Sequence, residues 1–245
     1  MSTDLTAARF SWAALGVAGE VGEPHRRMEE PLLPPEMREL ALTLPPGAPP
    51  TAYQRTHPLF DAVRQAAAQG ARHVMLTSVP LAAWWGRPAT QLALSKARTD
   101  QQMTVDATLE ATVAAMTGLG VARMALASPW DERVNGPLTA YLRAAGVEVA
   151  ATAAAGLTPA QFAALSIDEG FLLAMRLGRQ AVREADNAGV LLLPGRAWRS
   201  LAAAPLLEDD LGLPVLTDRA VDAWRLMTLG LAPPLTGWGR LLEHP

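Results

Sequence analysis

Short apolar runs alternate with helical patterns along this chain, and that rhythm constrains its fold more than any other feature. Trp12 to Val17, Leu40 to Leu44, His73 to Leu76, Arg123 to Ala127, Val147 to Ala151, Val190 to Leu193 and Val215 to Leu216 have the length and aliphatic content of buried strands. Leu59 to Ala68 reads as a helix. So does the series Val105, Leu109, Val113 and Met116, with Thr104 as its N-cap and Gly118 and Gly120 closing it. Further helices are expected over Asp131 to Ala145, Glu169 to Ala185 and Ser200 to Leu211. A strand–helix alternation of this kind builds parallel sheet flanked by helices, an α/β fold.

The strand segments starting at Arg72, Arg123 and Gly189 resemble one another, each an apolar run ending in a small or polar turn. They predict two similar α/β lobes with a boundary near Leu119. The expected division is 1–118 for the first lobe, completed by 218–245, and 119–217 for the second. With 245 residues, half of them hydrophobic and 18% charged, the chain is long and apolar enough to fill both cores.

Composition excludes several kinds of chemistry. The chain has no cysteine, so disulfides, thiolate metal sites and cysteine nucleophiles are ruled out. A net charge of −3 argues against a nucleic-acid partner. No apolar run is long enough for a membrane span, and the N-terminus lacks a signal-peptide pattern. The expected compartment is therefore the cytoplasm. Gly16, Gly19 and Gly22 follow a strand, but their spacing is not that of a dinucleotide fingerprint, and Pro24 interrupts the helix that should follow. A nucleotide-binding α/β protein is the weakest reading. The four histidines, His25, His57, His73 and His244, show no metal-ligand spacing, so no metal is expected.

In open α/β sheets ligands bind beyond the carboxyl ends of the strands. Loops there supply the candidate site residues. His25 lies beside Glu23 in the first such loop and is suited to proton transfer. The hydroxyls of Thr77 and Ser78 either hold a carboxylate or enolate-like oxyanion or cap local amides. Trp84 and Trp85 either wall an apolar pocket or form a packing patch or subunit contact, which leaves a homodimer open. Ser128 and Trp130 lie where a strand meets a helix. Arg196 and Arg199 are placed to pair with a substrate carboxylate, with a surface salt bridge the plainer reading of Arg196.

The same loops carry a family resemblance. Val121 to Gly146, Leu191 to Ser200, Leu211 to Trp224, Met75 to Ser78 and Gly237 to Leu242 together resemble the arylmalonate decarboxylase and maleate isomerase branch of the aspartate/glutamate/hydantoin racemase family. The likeness runs from about Ala13 to Leu242 and is patchy before Gly70. It implies two pseudo-symmetric lobes, each a mostly parallel sheet flanked by helices, with the active-site cleft between them and neither metal nor organic cofactor. Racemases and isomerases of the family use one cysteine from each lobe. The decarboxylase keeps only the second, which protonates the carbanion after carbon dioxide leaves. Here the first thiol position matches Leu76 and the second Gly195, and a carboxylate-binding tyrosine of relatives matches Trp130. Racemisation by two thiols and thiol addition to a double bond are both impossible in this chain.

Decarboxylation survives these losses in principle. It needs an apolar pocket for the departing carboxylate, which Leu76, Trp84, Trp85 and Trp130 could wall. It also needs donors for the enediolate, which Thr77, Ser78 and backbone amides could supply. The proton donor would be His25, Glu23, Asp218 or water. The expected function is a cofactor-independent, decarboxylase-like lyase or isomerase acting on a small carboxylic acid through an oxyanion-stabilised carbanion. Its catalytic residues would be His25, Thr77 and Ser78, and its substrate-binding residues Leu76, Trp84, Ser128, Trp130, Gly195, Arg196 and Arg199. The alternative is a silent relative that binds a carboxylate or a protein partner.

Overall fold

The computed structural model describes residues 11–17, 38–50, 56–198 and 200–243. Two parallel four-stranded sheets organise them. The first takes β1 (Ser11–Val17), β2 (Arg38–Leu44), β3 (Ala71–Leu76) and β4 (Thr104–Ala107) in the order β2-β1-β3-β4. The second takes β5 (Arg123–Trp130), β6 (Glu148–Leu157), β7 (Val190–Leu193) and β8 (Val215–Thr217) in the order β6-β5-β7-β8. Adding four to each label of the first order gives the second, so one βα plan is used in both halves of the chain.

The central strands of each sheet are buried on both faces, which is why they read as unbroken apolar runs rather than alternating ones. Val74, Met75 and Leu76 of β3 and all four residues of β7 are buried. The helices that cover the first sheet are α1 (Pro58–Ala68), α2 (Val79–Trp85), α3 (Arg87–Gln101) and α4 (Thr108–Gly118). Those around the second are α5 (Glu132–Ala144), α6 (Pro159–Ala163), α7 (Ile167–Glu184) and α8 (Ser200–Leu211). After β8 the chain forms α9 (Asp218–Thr228), which runs beside α4, and ends in the short α10 (Arg240–Glu243). No helix among the described residues is long and apolar enough to cross a membrane.

Three local expectations are corrected. Thr104 does not cap a helix: it opens β4, whose residues Thr104 to Ala107 pair with His73 to Leu76, and the helix starts only at Thr108. Val105 satisfies both periods, and the pairing with β3 decides between them. Trp84 and Trp85 do not lie in a loop but end α2, whose N-cap is Ser78. They face opposite environments: Trp85 is buried and donates its indole N–H to the Gly47 carbonyl at 2.8 Å, whereas Trp84 is 61% exposed. The third correction is α3, which no sequence pattern announced; its interior is rich in polar residues and only four are buried.

Two histidines have structural roles. His57 caps α1, its Nδ1 accepting from the Leu59 amide at 3.1 Å. His73 is fully buried in β3, with Nδ1 2.9 Å from Thr104 Oγ1. Burial, then the nearby Arg225 and Arg98 charges, push its pKa down to about 3, so it is neutral at physiological pH.

Candidate active site

A cavity of about 320 Å³ opens at the carboxyl ends of both sheets. The first lobe contributes Gly16 and Val17 at the end of β1, Ala41 to Thr43 of β2, and Thr77, Val79 and Pro80 after β3. The second contributes Trp130 at the end of β5, Pro159 and Phe162 of α6, Gly195 and Arg196 after β7, and Asp218 and Arg219 after β8. Parallel topology explains the convergence, because every strand delivers its C-terminal turn to the same edge.

One wall of the cavity is apolar and aromatic. Trp130 and Phe162 meet edge to face at 5.7 Å, and Phe162 meets Trp198 in the same way at 6.0 Å. Gly195 lies beneath them with φ +103°. A Cβ built there would stand 2.9 Å from Phe162 Cε1 and Cζ and 3.2 Å from Trp130 Cζ2. The backbone angle and the aromatic rings therefore both exclude a side chain at this position.

Polar groups complete the lining. Thr77 donates both its amide, at 2.8 Å, and its hydroxyl, at 3.1 Å, to the Leu15 carbonyl. Asp218 is buried at the start of α9, where its Oδ2 accepts the Gly195 amide at 2.8 Å. Arg196 pairs with Asp222 on the next turn of α9, and their side chains are only 10% and 3% exposed. Asp222 also accepts from Thr108 Oγ1 at 2.7 Å, joining α9 to the first lobe. Burial raises the Asp222 pKa to about 6 even though Arg196, Thr108 and Arg219 all favour its ionised form. It is therefore mostly a carboxylate at pH 7, and Arg196 is its counter-ion. The plainer reading of Arg196 as a surface salt bridge is corrected: the pair is buried and the residue lines the cavity.

The structure thus brings five of the sequence candidates, Thr77, Trp130, Gly195, Arg196 and Asp218, to one cavity. Four others it places elsewhere. Leu76 is wholly buried in β3 behind the cavity. Ser78 caps α2, its Oγ accepting the Leu81 amide at 3.1 Å. Ser128 donates to Asn135 Oδ1 at 2.5 Å and accepts the Trp130 amide at 3.2 Å, a bracket that fixes the β5–α5 turn. Trp84 is exposed away from the cavity. His25, Glu23 and Arg199 lie outside the described residues. Sequence reasoning missed Phe162, Arg219 and Asp222. Arg219 and Asp222 carry a faint signal, charged residues in the first turns of a helix that follows a strand end; Phe162 carries none, since its role depends on how α6 folds back over Gly195.

Comparison with known proteins agrees with this architecture. The family model described as arylmalonate decarboxylase matches residues 50–242. The chain belongs to the arylmalonate decarboxylase family. No curated protein matches by sequence. Among solved structures, arylmalonate decarboxylase superposes with a TM-score of 0.77 at 20% identity, over 96% of this chain and 100% of the other. A liganded double mutant of the same enzyme gives 0.80 at 23% identity over the same shares. A cysteine-to-serine mutant of Nocardia farcinica maleate cis-trans isomerase, with a covalently bound succinylcysteine intermediate, gives 0.75 at 18% identity over 96% and 99%. These likenesses establish a shared fold. Within the arylmalonate decarboxylase family this chain is a cysteine-free member: no thiol stands at Leu76, and the aromatic wall closes over Gly195.

Proposed function

We propose that this protein is a cofactor-independent, decarboxylase-like lyase or isomerase that acts on a small carboxylic acid through an oxyanion-stabilised carbanion, without cysteine catalysis. The observation that carries this reading is the cavity itself, whose lining combines aromatic rings with the polar groups of Thr77, Arg196, Asp218 and Arg219. Apolar surroundings around a departing carboxylate favour neutral carbon dioxide over the charged ground state. When the bond between the α-carbon and that carboxylate breaks, its electron pair passes into the retained carboxylate as an enediolate. A hydroxyl donor fixed beforehand stabilises the charge as it develops.

Thr77 is suited to that task. The Leu15 carbonyl accepts both its amide and its hydroxyl, so the hydroxyl can turn to a substrate oxygen while the amide still satisfies the carbonyl. The test is a kinetic comparison of the wild type and Thr77→Val on substituted malonates, maleate, hydroxy acids and amino acids. Thr77→Val keeps the shape of the side chain and removes the donor, so kcat/KM should fall by about 10²–10³-fold. Unchanged kinetics would contradict the assignment.

A second reading, a binding protein that holds a carboxylate without turning it over, is favoured by the filled space above Gly195. In that case the acids would raise the melting temperature and none would be converted.

A further inference from the structure

We infer that Asp218 is the acid that delivers the proton to the carbanion. The inference rests on the carbanion chemistry proposed above and adds the residue that completes it.

Among the described residues that line the cavity, the side chains carrying an exchangeable proton are Thr43, Thr77, Trp130, Arg196, Asp218 and Arg219. Threonine hydroxyls, the indole N–H and guanidinium groups hold their protons far too tightly to act as general acids near neutral pH. A carboxyl group does not, and Asp218 is the one carboxyl in that set.

Its position is fixed from two sides. It is the first residue of α9, directly after β8, and its Oδ2 accepts the Gly195 amide at 2.8 Å. Gly195 cannot itself carry a protic side chain, because a Cβ there meets Phe162 at 2.9 Å. The neighbouring Asp218 therefore brings a proton to the face of the cavity where Gly195 brings none. The step balances simply. The bond between the α-carbon and the departing carboxylate breaks, and its electron pair, held as the enediolate, takes the carboxyl proton of Asp218 to form a C–H bond. Asp218 is left as a carboxylate and regains a proton from water.

The experiment uses the full chain, with wild type, Asp218→Asn and Asp218→Glu acting on prochiral 2-methyl-2-phenylmalonate, read for kcat and for enantiomeric excess of the product. Asparagine keeps an oxygen for the Gly195 amide and loses only the acid. Asp218→Asn should lower kcat by about 10²–10⁴-fold and give racemic product, because water then protonates both faces. Asp218→Glu retains an acid and should keep the stereochemical preference at reduced rate. If Asp218→Asn fails to fold, the stereochemical outcome of Asp218→Glu decides, and a racemic product from that variant would overturn the assignment. Wild-type rate and selectivity in Asp218→Asn would overturn the role of Asp218 and leave the proposed chemistry standing. Silence of the wild type would remove the decarboxylase reading, and the role of Asp218 with it.

Discussion

At the scale of single residues the cavity is defined as much by what is excluded as by what is present. Gly195 combines a positive φ with rings pressed against the place of its missing Cβ. Gly195→Ala should therefore cost about 1–3 kcal/mol for overpacking and a further ~1 kcal/mol for the backbone angle. Urea unfolding of Gly195→Ala, Phe162→Ala and the double variant tests this. Relief of part of the alanine penalty in the double variant is expected, and strict additivity would show that the two positions do not press on each other. Asp222 gives a pH-dependent prediction. Its carboxyl keeps its proton in the folded protein up to about pH 6, against 3.8 for an ordinary aspartate. The folded state therefore binds more protons than the unfolded state within that window. The contribution of Asp222 to stability is greatest below it and falls as the pH rises to about 6. The difference in unfolding free energy between wild type and Asp222→Asn should shift in that direction across the window and be flat above it. Thr77, Trp130, Gly195, Arg196 and Asp218 were legible in the sequence because strand ends announce themselves. Phe162 and Asp222 were not, because their roles depend on side chains folded in from separate helices.

At the scale of elements, long apolar strands were read well and short or polar segments poorly. β7 appears as expected, while β5 and β6 run on to Trp130 and Leu157, further than their apolar runs suggest. β4 was hidden because its four residues continue a helical spacing, and only pairing with β3 makes them a strand. The C-terminal segment shows how one buried polar group can tie together two elements as short as β8 and α10. Glu208 of α8 accepts the Val215 amide at 2.9 Å and the Arg240 amide at 2.8 Å, so it ties β8 and α10 to one helix. Burial raises its pKa, against the pull of those amides and of Arg240. Glu208→Ala should destabilise the protein by about 1–3 kcal/mol for each donor left bare. Hydrogen exchange would register the loss as faster exchange at the Val215 and Arg240 amides; unchanged protection there would contradict the tie.

At the scale of the whole molecule, two sheets of identical strand order face one cavity, and polar contacts hold the halves together at a distance from it. Tyr141 of α5 donates to Glu110 of α4 at 2.8 Å, and Arg87 of α3 donates to the same carboxylate at 2.8 Å. Burial pushes Glu110 up, but hydrogen bonds from Arg87, Tyr141 and Gln91 outweigh it and hold its pKa below the usual value. Tyr141→Phe should cost about 1.5–3 kcal/mol, the worth of a hydrogen bond to a charged group, and should couple to Glu110→Gln in a double-mutant cycle measured by urea unfolding. The two-lobed plan was legible from the strand rhythm and from the family resemblance. The bridges between lobes were not, because side chains such as Glu110 and Tyr141, 31 positions apart, meet only once both sheets are in place. On the function proposed here, a cavity without a thiol still makes and quenches a carbanion. The decisive measurement is proton NMR in D₂O, with the wild-type protein and a panel of substituted malonates, maleate, hydroxy acids and amino acids. Deuterium is expected at the α-carbon of a product or of a recovered acid, and is expected to be lost in Thr77→Val. A wild-type protein that binds acids from the panel, yet exchanges no α-proton and forms no product, would contradict it.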